Sequence, residues 1–315
     1  MANLVALPLF TIFVLVLVAI ELRLARRPKH FGFREAVLAC IAWAALALAF
    51  NAGVYFWRGG EPALQFLTGY ILELSLSLDN VFVFALTFAW AVVPTESQHR
   101  VLFWGVLGAI VMRAAFMIAG VELIQHFRPA LPLLGLFLLL SGLLLLRRKE
   151  KKFQPERNPA LRITRKVFPV TQTYEGARFF VRRNGLRFAT PLFLVLIMVE
   201  TTDVVLASDS ITAVLGITRD PFIVFTSNLF AVLGLRALYF VLARALLKFR
   251  YLDFGVCLVM VFVGATMLGS DYCRVPTWAS LVVICAIVAA TVVLSMASAV
   301  EKTPRDGMTK NSRPS

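Results

Sequence analysis

Two short acidic stretches stand inside long apolar runs: Glu73-Leu-Ser-Leu-Ser-Leu-Asp79-Asn80 and Glu200-Thr-Thr-Asp203-Val-Val-Leu-Ala-Ser-Asp209-Ser210. They offer carboxylate, amide and hydroxyl oxygens and neither imidazole nor thiolate. That donor set suits a hard divalent cation such as Mn²⁺, Mg²⁺ or Ca²⁺ and disfavours Zn²⁺ or Cu⁺. An ionised carboxylate near the centre of a bilayer costs about 2.5–3.5 kcal/mol on the insertion scale, so five of them stand against a penalty of order 10 kcal/mol. Folding alone gives no reason to accept it.

The candidate metal ligands are therefore Glu73, Asp79, Asn80, Glu200, Asp203, Asp209 and Ser210, with Ser208 and Asn228 as further oxygen donors. Met198 offers a thioether that would favour Mn²⁺, although packing is the commoner role of such a residue. Five nominal negative charges exceed the charge of one divalent ion, so some carboxylates must be protonated or paired, which favours exchange of protons against metal. Arg113 and Arg236 fall inside apolar runs and are the candidates for charge compensation when metal is absent; pairing with helix-end carbonyls or snorkelling is the alternative. Six residues correspond to 600° of helix, so Glu73 and Asp79 cannot share one face of an unbroken helix, nor can Asp203 and Asp209. The spacing predicts breaks around 75–80 and 204–210, where Ser, Asp and Asn offer the backbone other partners.

These residues need membrane elements to hold them. Hydrophobic residues make up 59% of the 315 positions and charged ones 16%, with apolar runs of about 20 residues recurring along the chain. Nine transmembrane helices are expected near 4–22, 36–56, 64–90, 101–121, 130–146, 190–214, 221–244, 252–270 and 276–299, so the fold class is an all-α polytopic membrane protein. The net charge of +14 raises nucleic-acid binding as a role, but the basic residues are confined to loops without interleaved aromatics, and no nucleic-acid partner is expected. With the N-terminus outside, cytoplasmic segments would hold 26 Lys and Arg against 4 in outer loops. That division predicts an N-terminus outside, a C-terminus in the cytoplasm and a place in the cytoplasmic (inner) membrane. The first apolar run is followed, not preceded, by basic residues, so it is expected to stay as a helix.

The acidic stretches head two copies of one unit. Aligning Asp79-Asn80 on Asp209-Ser210 puts Glu73 opposite Asp203, and further on Arg113 falls opposite Arg236 and Gly135 opposite Gly255. The division expected is 1–63 (two N-terminal helices), 64–146 (first repeat), 147–189 (a basic cytoplasmic connector), 190–270 (second repeat), 271–300 (final helix) and 301–315 (a cytoplasmic tail, polar and expected to be disordered). Each repeat has three helices, an odd number, so the two enter the membrane from opposite sides, as in secondary transporters. The connector reads as a solvated topological determinant, with a regulatory role or contact with anionic lipid as alternatives. Cys40, Cys257, Cys273 and Cys285 read as packing residues with no disulfide, and His30, His99 and His126, with Glu122 and Asp253, as surface or helix-end residues.

On residues 73–84 (ELSLSLDNVFVF), 98–113 (QHRVLFWGVLGAIVMR) and 199–243, the chain resembles the TerC family of integral membrane proteins, including its Alx-type members. The resemblance implies metal-ion homeostasis, chiefly manganese export, an association with tellurium resistance, and functional roles for Glu73, Asp79, Glu200, Asp203 and Asp209. The chain departs from the family in having Thr212 where a proline is common, and Thr266 where many members carry a lysine. The expected function is ion transport: export of Mn²⁺ or a similar hard divalent cation, in exchange for protons, with the ion as cargo and no resident cofactor. The rival readings are an intramembrane enzyme using paired carboxylates, against which the symmetric duplication speaks, and a membrane partner in metal delivery or tellurite and stress-response complexes. Besides the metal ion, protons and the lipid bilayer, self-association into a homo-oligomer is left open.

Overall fold

The computed structural model describes residues 32–127, 129–147, 158–183, 185–242, 251–270 and 275–301. The helix expected at 4–22, together with His30, Arg128, Cys273, Arg274 and the tail from 302 onward, lies outside these residues. The described chain forms α1 (Phe33–Arg58), α2 (Gly60–Trp90), α3 (Thr95–His126), α4 (Ala130–Arg147), α5 (Pro159–Val167), β1 (Phe180–Arg183), β2 (Leu186–Ala189), α6 (Pro191–Ile217), α7 (Pro221–Leu242), α8 (Leu252–Leu268) and α9 (Thr277–Glu301). Seven of these helices are long and apolar enough to cross a membrane, and the 17-residue α8 is a shorter apolar helix. Their positions match the expected runs.

Why the chain turns where it does is local. A single glycine, Gly59 at φ 93°, separates α1 from α2 and supplies a backbone conformation that side chains with a Cβ resist. Asp220 accepts from the Phe222 amide at the start of α7 and pairs with Arg58 at 2.6 Å, tying that corner to the end of α1. Pro191 and Pro221 each open a helix, where the missing N–H costs nothing.

Helices α2 and α7 are the most enclosed, while α1 and α9 are mostly exposed on the flanks. Three pairs of helices cross in opposite directions. Asn80 meets Asp203 while Gly69 faces Val214, which sets α2 antiparallel to α6. Gln98 bonds Tyr239 at 3.1 Å while Arg113 reaches Asn228, which sets α3 antiparallel to α7. Gly135 faces Met267 and Gly142 faces Met260, which sets α4 antiparallel to α8. This last crossing is close because it is built on small residues: a Cβ on Gly264 would lie 2.6 Å from the Leu139 amide nitrogen, and one on Gly135 3.1 Å from the Gly264 carbonyl oxygen.

One expectation is corrected. Helices α2 and α6 run unbroken through 75–80 and 204–210. The serines and threonine there bond back to their own helices instead of diverting the backbone: Ser75 to the Ile71 carbonyl at 2.7 Å, Ser208 to Val205 at 2.7 Å and Thr212 to Ser208 at 2.7 Å. The connector is structured where it is described. Asn158 caps α5 by accepting from the Ala160 amide, and β1 and β2 form an antiparallel hairpin turned by Gly185 at φ 81°.

Candidate functional site

Glu73 stands 13 residues into α2 and Asp203 12 residues into α6, so at 1.5 Å per residue both lie roughly 20 Å from a helix end, near mid-membrane. The α2/α6 crossing brings them together, and Arg113 of α3 enters between them. Arg113, Glu73 and Asp203 are 1%, 0% and 2% exposed, so the three charges are removed from solvent. One guanidinium nitrogen of Arg113 pairs with Glu73, and the other two reach Asp203 at 3.3 and 3.5 Å. The same centre takes in Ser210 Oγ at 3.5 Å and Asn228 Oδ1 at 3.4 Å from Arg113 Nη1, and Asn80 Nδ2 donates to Asp203 at 2.9 Å.

The register is regular. Asn80 follows Glu73 by seven residues and Ser210 follows Asp203 by seven, which is 700° of helix and returns each pair to one face. No break is needed: α2 and α6 each present a carboxylate and, two turns on, a neutral oxygen-bearing side chain. The structure thus gathers Glu73, Asn80, Asp203, Ser210 and Arg113 from among the sequence candidates. Asn228, which the sequence offered only as a further donor, is a full member. Its signal was weak, because a lone Asn in an apolar helix has many readings.

The remaining candidates are not among the groups bonded to Arg113. Glu200 is one turn before Asp203 on α6 and lies against Gly108 of α3, whose missing Cβ leaves room for the carboxylate. Asp79 is buried and Asp209 half-buried, and neither is without a partner. Arg236 is buried on α7 within electrostatic reach of His99. His99, expected at the surface, is half-buried and stacks on Phe240 with ring centroids 4.2 Å apart. Met198 packs with Leu161 and Leu194, so its side chain serves the core. His126 and Glu122 pair at an exposed helix end, as expected of surface residues.

Chemically the centre holds two carboxylates and one fixed cation. Among the described residues no three His, Cys, Asp or Glu side chains are grouped to hold a metal ion, and Arg113 stands where Glu73 and Asp203 converge. If both acids are ionised, one negative charge remains over, and burial makes any uncompensated charge costly. Glu73 Oε2 and Asn228 Nδ2 are buried without a hydrogen-bond partner, so the polar capacity of the centre is not fully used.

Residues 58–303 match the family model described as Integral membrane protein TerC family. Among curated proteins, "Uncharacterized membrane protein STKORF319" of Myxococcus xanthus is 43% identical over 91% of this chain and 90% of its own length. "Putative membrane-bound redox modulator Alx" of Salmonella typhi is 43% identical over 91% of this chain and 92% of its own, and the protein of that name from Escherichia coli K12 is 41% identical over the same shares. No solved structure matches the chain.

Proposed function

The chain belongs to the TerC family of integral membrane proteins, and from that premise we propose that it is a transporter exporting Mn²⁺, or a similar hard divalent cation, in exchange for protons. The observation that carries this reading is the Arg113-centred pair of buried carboxylates at the crossing of α2 and α6. With Arg113 withdrawn, Glu73 and Asp203 balance the charge of one divalent ion, and the side-chain oxygens of Asn80, Ser210 and Asn228 complete an all-oxygen shell. With Arg113 in place, the acids need only one further positive charge, which a proton supplies. The site therefore has two neutral states that differ in what it carries, as exchange requires. Glu200, Asp79 and Asp209 would pass the ion or protons to and from the centre, and Arg236 would compensate charge along α7.

The antiparallel counterparts α2/α6, α3/α7 and α4/α8 support alternating access between inverted repeats around a fixed site. The lysine and arginine distribution supports an N-terminus outside the cytoplasmic membrane and a cytoplasmic C-terminus. The redox role in the name of the Alx relatives is a second reading. Among the described residues, Cys40, Cys257 and Cys285 lie on α1, α8 and α9 and are not joined in a disulfide.

The test is manganese accumulation in cells lacking other exporters. Glu73→Gln and Asp203→Asn are expected each to reduce export at least about tenfold, in line with losing a charged ligand. Export at the wild-type rate in both variants would remove the site from the mechanism.

A further inference from the structure

Helix α5 is tied to α6 at three levels. Asn158 donates to Thr201 Oγ1 at 2.8 Å, Leu161 packs on Met198 and Leu194, and Phe168 meets Phe193 with ring centroids 6.3 Å apart. The order 201, 198–194, 193 means that α5 runs antiparallel along α6. Thr201 is ten residues beyond Pro191, so α5 begins roughly 15 Å along α6 and returns toward its end. Because α6 crosses the membrane, this helix lies along the first half of a span rather than out in solution, with its later turns beside residues 193–198 near the N-terminal end of α6.

Its outer surface fits that depth. Leu161 faces α6, while Ile163 and Val167, 200° and 240° further round the helix, are 62% and 63% exposed. Arg162, Arg165 and Lys166 fill the arc between the two apolar sides, and all three are exposed. The adjoining hairpin repeats the pattern, with exposed Phe180 and Leu186 beside exposed Arg182, Arg183 and Arg187. Within the described residues 158–189 seven Lys and Arg face one acid, Glu175, which pairs with Arg183.

We propose that α5 and the β1–β2 hairpin form a binding surface for anionic phospholipid, with Ile163 and Val167 set among acyl chains and Arg162, Arg165 and Lys166 holding the headgroup phosphate. The contacts with residues 193–198 of α6 put Ile163 and Val167 toward the end of the span, at the acyl boundary, and the charge excess selects negative headgroups over zwitterionic ones. The surface lies outside the carboxylate–arginine centre and stands whether or not that centre carries metal.

The test uses the full chain in nanodiscs of equal phosphatidylglycerol and phosphatidylcholine, with the photo-crosslinker benzoylphenylalanine placed at Val167. Wild-type sequence elsewhere is expected to yield crosslinks to phospholipid, with phosphatidylglycerol predominating. Each basic side chain near an anionic surface contributes roughly fivefold to affinity. Replacing Arg162, Arg165 and Lys166 together by Gln is therefore expected to lower the phosphatidylglycerol preference by up to roughly a hundredfold while lipid crosslinks persist. Crosslinks to a second copy of the chain, to another protein or to nothing would overturn the proposal, as would a preference unchanged in the triple variant. Those side chains are exposed, so the variant is expected to fold, and an unchanged unfolding temperature in detergent checks it.

Discussion

At the residue scale the centre turns on Arg113. Its guanidinium offers several donors in a rigid fork, and here they reach Glu73, Asp203, Ser210 and Asn228 at once. Removing one member of a buried charge group leaves the others unpaired, at about 3–5 kcal/mol. Arg113→Gln is accordingly expected to destabilise the protein by about that amount, measured as denaturant unfolding in detergent. Arg113→Gln combined with Glu73→Gln leaves a single carboxylate and should recover part of the loss. If the single variant unfolds like wild type, the centre does not hold the fold. The acid types, the arginine and the oxygen-only character were all legible in the sequence, because charged residues inside apolar runs have few other readings. Which residues converge was not. Measuring helix angle from Glu73 to Asp79 led to an expected break, whereas the seven-residue step to Asn80 and from Asp203 to Ser210 satisfies the same need on an unbroken helix. Spacing alone did not choose between these pairs.

At the scale of elements, the long helices were legible to within a few residues because hydropathy and length define them, and Pro191, Pro221 and Gly59 mark their ends. The connector was not. Nine residues of α5 and four-residue strands are too short to stand out as elements among so many Lys and Arg, and they are held by contacts with α6 that no local pattern reveals. Other contacts were equally hidden. The α4/α8 crossing rests on Gly135, Gly142 and Gly264, of which only Gly135 was singled out, as the counterpart of Gly255. Gly255 instead packs against Thr291 of α9. Because the atoms opposite Gly264 are backbone of α4, a side chain there cannot be accommodated by rotamer change. Gly264→Leu is expected to force the helices apart and cost at least about 1–3 kcal/mol, read as a lowered unfolding temperature in detergent. An unchanged temperature would mean that the crossing contributes little to stability.

At the scale of the whole molecule, the counterpart helices run in opposite directions while the charges they carry are not equivalent. Helix α3 delivers Arg113 to the centre, whereas at the corresponding crossing α7 delivers Asn228 and keeps Arg236 toward His99. One internal cation therefore serves two carboxylates, and if both are ionised one negative charge is left for a proton or another cation to balance. If Arg113 and a divalent ion exclude each other, metal can leave only as Arg113 and a proton return, and flux of the two is linked. In proteoliposomes, an outward Mn²⁺ gradient is expected to drive proton movement in the opposite sense, reported by a lumenal pH dye, and an imposed pH gradient is expected to drive Mn²⁺. Both signals should fall together in Glu73→Gln and Asp203→Asn, since each removes an acid that the exchange needs. Hard cations that accept an oxygen shell, Mn²⁺ first and then Mg²⁺ or Ca²⁺, should compete for the flux, and Zn²⁺ should do so poorly. Manganese flux without proton movement would leave Arg113 as a structural brace and would require another source for the balancing charge.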